Sequence, residues 1–148
     1  MREDRPLVTV VPCSGIGKAF GSVAREAGYE LCDELRPNST RLVALSKLVL
    51  GDEEAREAVR RYPAITIDGC KLMCAAKLVR HSGGKIAGEL TVLDAYRRHK
   101  DLRPDGIAEL NDQGKQLARI LAGEIAQMVD DLGGRAPQDE APRGGTRA

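Results

Sequence analysis

Short apolar runs alternate along this chain with stretches in which apolar residues recur at helical spacing. Leu7-Val-Thr-Val-Val11 is a β-branched run ended by Pro12 and predicts a buried strand. A turn, Cys13-Ser-Gly-Ile-Gly17, follows. Lys18 to Ala27 carries Phe20, Val23, Ala24 and Ala27 at helical spacing, with Gly28 as its expected stop. Tyr29-Glu-Leu-Cys32 reads as a second strand, and Arg36-Pro-Asn-Ser-Thr40 as a loop of cap residues. Leu42, Leu45, Leu48 and Val49 fit a helix closed by Gly51. Asp52 is a good N-cap for another, with Glu53 and Glu54 at its start and Arg60 and Arg61 at its end, as the helix dipole prefers.

Pro63 ends that helix. Ala64-Ile-Thr-Ile67 predicts a third strand, closed by Asp68-Gly69. Lys71 to His81 is expected to be helical, and Leu90-Thr-Val-Leu93 to be a fourth strand ended by Asp94. The clearest helix carries Leu117, Ile120, Leu121, Ile125, Met128, Val129 and Leu132 on one face, with Gly133 as its stop. Beyond it the composition is Gly, Pro, Arg, Gln, Asp and Glu, with no apolar period. The expectation is one domain, 1–133, and a disordered polar tail, 134–148. Strands alternating with helices predict an α/β fold: a small parallel sheet of about four strands with helices on both faces, Rossmann-like, plus a C-terminal helix.

Charge and composition narrow the function classes. The 23 basic and 22 acidic side chains nearly cancel, so no overall field favours nucleic acid or an anionic membrane. Four aromatics, Phe20, Tyr29, Tyr62 and Tyr96, are too few for a base-stacking platform. The start is charged with both signs, and no apolar run approaches a signal-peptide core or a membrane span, which points to the cytoplasm. Cysteines there are normally reduced, so four of them suggest metal or catalysis more than disulfides.

The expected topology gives those cysteines a common destination. Cys13 follows the first strand, Cys32 ends the expected second, Cys70 follows the third, and Cys74 lies near the start of the next helix. Parallel strands end on one edge, where ligand crevices open. Four thiolates there suit a tetrahedral zinc site, or less well an iron–sulfur cluster. With all four engaged such a site is closed and structural or storage-like; Lewis-acid catalysis needs an open position. Other readings stand beside it. Cysteine is a common small buried residue. Cys13 and Cys74 also sit near predicted helix N-termini, which favour anions. Cys13 is then the candidate nucleophile of a sulfur or thiol-redox transferase, with Cys70 or Cys74 as resolving thiol. In a third reading, an interaction module, the metal only holds the rim together.

Three blocks carry a family resemblance: Pro12-Cys13-Ser14-Gly15, Ala64-Ile-Thr-Ile-Asp68-Gly69-Cys70 and Cys74-Ala75-Ala76-Lys77. They resemble the DGC-domain proteins, small bacterial and archaeal proteins described as zinc-binding and named for the Asp-Gly-Cys motif. The resemblance spans roughly residues 7–95. It implies that Cys13, Cys32, Cys70 and Cys74 are the shared chelating set. After the second cysteine, members often carry Leu-Ala or Leu-Pro, where this chain has Asp33-Glu34-Leu35.

Other motifs are weaker. Gly15-Ile-Gly17-Lys18 looks like a phosphate loop, but Pro12 stands where the first Gly belongs and Ala19 where Ser or Thr belongs. Lys18, Lys71 and Lys77 are better suited to offsetting an anionic tetrathiolate centre. Asp68 reads first as turn chemistry, then as a group supporting a ligand or as a general base. His81, His99 and the Arg97 to Lys100 run read as solvated surface.

Overall fold

The computed structural model describes residues 7–13 and 17–140. Four strands, β1 (Val8–Pro12), β2 (Thr40–Leu42), β3 (Ala64–Asp68) and β4 (Ile86–Thr91), form one parallel sheet in the order β2-β1-β3-β4. Among the described residues, six α-helices connect and flank them: α1 (Ala19–Tyr29), α2 (Leu45–Leu50), α3 (Glu53–Arg61), α4 (Cys74–His81), α5 (Val92–Arg98) and α6 (Asp112–Glu140). The expected architecture, a four-stranded parallel sheet with a C-terminal helix, is the one observed.

Period-two alternation splits the core across the sheet. Val8 and Val10 of β1 and Ile65 and Ile67 of β3 pack with Val23, Ala27, Leu117, Leu121 and Ile125, so α1 and α6 cover one face. Val11 and Ala64 pack with Leu45, Leu48, Ala58, Val59 and Val79, so α2, α3 and α4 cover the other. All five residues of both β1 and β3 are buried, as expected of central parallel strands.

Three elements differ from the sequence reading. Tyr29 to Cys32 is not a strand. Helix α1 runs to Tyr29 and continues as a π-helical turn, Glu30–Leu35. The reason is packing. Leu31 continues the buried stripe of Ala24 and Ala27 and is fully buried in the core cluster that α6 completes. Gly28 does not stop the helix; it lets it lie close to the sheet. A Cβ there would stand 3.2 Å from both Leu42 Cδ1 and Pro12 Cγ. The second strand comes instead from Thr40-Arg-Leu42, read above as loop and helix start, with Thr40 opposite Val8 in the register.

The fourth strand precedes its expected position. Ile86–Thr91 pairs with β3, and Val92, expected in a strand, begins α5. Thr91 decides this boundary: its hydroxyl accepts the Asp94 N–H at 3.0 Å as an N-cap. At the C-terminus, helical backbone continues past Gly133 to Glu140. The rest of the expected tail, 141–148, and most of the expected turn after β1, 14–16, lie outside the described residues. No helix among the described residues is long and apolar enough to cross a membrane.

Replacing Leu31 by Ala is expected to destabilise the fold by about 2–5 kcal/mol, as for other fully buried leucines. Chemical denaturation measures it, with the half-buried neighbour Glu30→Ala as a control costing under about 1 kcal/mol.

Candidate metal centre

The strand order reverses direction between β1 and β3, because β2 lies on the far side of β1. Outside the carboxyl ends of two such strands the flanking loops diverge and leave a crevice. A cavity of about 130 Å³ opens there. It is lined by the end of β1 (Cys13), the start of α1 (Lys18, Phe20, Gly21) and the whole segment from Asp68 to Cys74 except Lys71. Backbone pairing of the two strands carries into it, since the Cys13 N–H donates to the Ile67 carbonyl at 2.9 Å.

The Asp-Gly-Cys sequence has a physical role at each position. Asp68 is 1% exposed at the end of β3 and aims its carboxylate at the start of α4. It accepts the Ala75 N–H at 2.7 Å and the Ala76 N–H at 3.1 Å. The residue preceding the helix, Met73, offers no side-chain cap, so Asp68 does that work from five residues upstream. Burial pushes the Asp68 carboxyl above the usual carboxylate range, and its two backbone hydrogen bonds oppose the shift. Gly69 lies against α1: a Cβ would stand 2.8 Å from the Gly21 backbone nitrogen. Only glycine permits this approach. Cys70 then emerges on the cavity wall, half-buried.

The link from Cys70 to Cys74 is a tight turn in which the Met73 N–H donates to the Cys70 carbonyl at 3.3 Å. Met73 has φ 57°, the sole non-glycine residue in the left-handed region among the described residues. That conformation costs an L-residue about 1–2 kcal/mol. Cys74 follows as the first residue of α4 and is exposed at the cavity mouth. Phe20 also lines the cavity and makes an edge contact with Tyr96 at 5.5 Å between ring centroids.

Three of the four expected cysteines therefore share one cavity: Cys13, Cys70 and Cys74. Cys32 does not join them. It lies on the π-helical turn, and its thiol hydrogen-bonds with the side chain of Thr40. Thr40 pairs with Val8, at the opposite end of β1 from Cys13. Five residues of strand separate those ends by about 16 Å, against an S···S spacing under roughly 4.6 Å between thiolates that share a zinc. Burial also pushes the Cys32 thiol up to about 11, with Asp33 adding to the effect and the Thr40 hydrogen bond opposing it. Burial therefore adds to the cost of the deprotonation that metal binding requires. The expectation that four cysteines meet at one edge fails at Cys32, because the element that carries it is helical.

The donor chemistry at the cavity fits a thiophilic ion: three thiols, with Met73 beside them. Among the described residues, no three His, Cys, Asp or Glu side chains are already gathered closely enough to hold a metal. None of the four cysteines is in a disulfide. His81 is exposed and His99 half-buried, and neither lines the cavity. Of the three lysines singled out in the sequence, Lys18 alone reaches the wall. Sequence reasoning missed Met73, whose only signal is its place between Cys70 and Cys74.

The family model described as the DGC domain matches residues 9–114, more than half of the chain. No curated protein and no solved structure matches.

Two measurements check this description. Asp68→Ala leaves two helix N–H groups without their partner and is expected to cost about 1–3 kcal/mol, read as a lower denaturation midpoint, with Asp68→Asn retaining part of the cap. For Cys32, the folded thiol holds its proton to about 11 while its ordinary value is 9.0. The folded state thus binds more protons than the unfolded one across that window, and stability falls as pH rises through it. Cys32→Ala is expected to flatten the decline in stability between pH 8 and 11.

Proposed function

The chain belongs to the DGC-domain family, and from that premise we propose that it is a cytoplasmic zinc-binding protein whose ligands are Cys13, Cys70 and Cys74. The observation that carries the reading is the convergence of those three residues, from two strand ends and a helix start, on one cavity. A reducing compartment suits them, since they must remain thiols to bind. Each releases its proton on binding, so affinity falls with pH. The ligands are not already gathered, so drawing them together is part of the binding event. Cys32 is left out of the ligand set. Cys13, Cys70 and Cys74 would hold a zinc ion, and with only three protein ligands it would supply Lewis-acid chemistry. Lys18 offsets the negative charge of a thiolate cluster from the same wall.

The exposed thiol of Cys74 beside Cys13 and Cys70 favours a second reading, thiol-based sulfur transfer. There the Cys13 thiolate attacks the outer sulfur of a persulfide donor, taking that sulfur as Cys13–S–SH and releasing the donor thiol. Attack by the Cys70 or Cys74 thiolate on the inner sulfur then forms a disulfide and expels hydrosulfide.

Zinc content of the purified single variants decides between them. Cys13→Ser, Cys70→Ser and Cys74→Ser are each expected to lose zinc, whereas Cys32→Ser keeps one per chain. Thiol titration adds the complementary readout: chelator exposes three additional reactive thiols if zinc holds them. Full zinc retention in all three cavity variants would sink the metal reading. Chelator-independent reactivity at Cys13 would favour sulfur transfer.

A further inference from the structure

Met73 occupies a conformation that its residue type does not favour. Glycine takes a positive φ freely and asparagine takes it at little cost, yet a long, flexible thioether stands at φ 57° here. Strained backbone of this kind persists where surrounding structure enforces it, and it clusters at ligand sites. The enforcing contacts are present: Asp68 pins the next turn through Ala75 and Ala76, and the Cys70 carbonyl accepts the Met73 N–H. The result places Met73, half-buried, on the cavity wall with Cys13, Cys70 and Cys74.

That donor set is soft. Thiolates bind zinc, but a thioether is not among the groups that zinc recruits. Cuprous copper takes both thiolate and thioether sulfur, and affinity follows ligand softness and geometry more than charge. Met73 thus brings a fourth sulfur to a cavity that the fourth cysteine does not reach. Phe20 and Leu72 also line the cavity.

We propose that this cavity is a cuprous-ion site in which Met73 supplies a thioether ligand beside Cys13, Cys70 and Cys74, and that it binds Cu(I) more tightly than zinc. The inference rests on the metal-centre reading above and names the class of ion it selects. Binding changes no oxidation state: Cu(I) enters as such, each thiol that ligates releases one proton to solvent, and Met73 releases none.

The test uses the full chain, reduced and metal-free under anaerobic conditions. Cu(I), held reduced by ascorbate, is titrated against the chromophoric chelator bicinchoninate, and zinc is titrated separately against a zinc indicator dye. The wild-type chain is expected to bind one Cu(I). Met73→Leu keeps the bulk without the thioether, and Met73→Gly also relieves the backbone. Both are expected to lose about tenfold or more in Cu(I) affinity with zinc affinity unchanged, within the range by which supporting groups tune metal sites. Cys32→Ser is the control that retains both metals, and circular dichroism verifies folding of each variant. Equal Cu(I) affinity in wild type and both Met73 variants would overturn the inference while leaving the zinc reading intact. So would zinc binding without Cu(I) binding. Cu(I) binding that depends on Met73, with no zinc binding, would support the inference and remove zinc as the ion. Binding of neither metal would end both.

Discussion

The Asp68 carboxylate, buried at the end of a central strand, is the joint on which the cavity depends. It bonds two N–H groups of α4 at 2.7 and 3.1 Å and so fixes that helix to the sheet. A helix start normally draws its cap from the adjoining residue. Here the adjoining residue is Met73 in a left-handed conformation, and the cap arrives from the strand instead. Consequently the segment between strand and helix is clamped at both ends, and its three side chains at Cys70, Met73 and Cys74 are held on one wall.

Strand order supplies the other half of the arrangement. With β1 and β3 adjacent and β2 outside, the chain switches direction above β1 and β3, which opens a crevice there. Gly69 makes that crevice narrow. Its missing side chain lets the loop after β3 rest on Gly21 of α1, so Cys13 and Cys70 face a shared space of about 130 Å³. A side chain at Gly69 would collide with the Gly21 backbone at 2.8 Å. The motif is thus a packing device at its first two residues, and its third, Cys70, lines the cavity.

Cys32 shows what the same fold does to a cysteine outside that device. Half-buried on the turn after α1 and hydrogen-bonded with Thr40, it is held as a neutral thiol, pushed up to about 11. The two environments differ in place. One is at the amino end of the sheet, packed against the main core; the other is at the carboxyl end, open to solvent at Cys74.

From sequence alone, β1, β3, α3 and the periodic face of α6 were legible, because each carries a long or strongly patterned apolar signal with matching caps. So was the placement of Cys13, Cys70 and Cys74, since each follows directly from a strand or helix boundary that the local residues define. The segment Tyr29 to Cys32 was not legible. Four residues with two apolar positions fit a strand or a helical turn equally well. The choice was made by contacts distant in sequence, Leu31 in the core cluster completed by α6 and Gly28 against Pro12 and Leu42. The same limit applied to Met73, whose left-handed backbone sits between the Cys70 turn and the helix start that Asp68 caps. Local pattern determined which residues could reach the carboxyl edge; tertiary packing decided which of them did, because a short segment takes its conformation from what it is packed against.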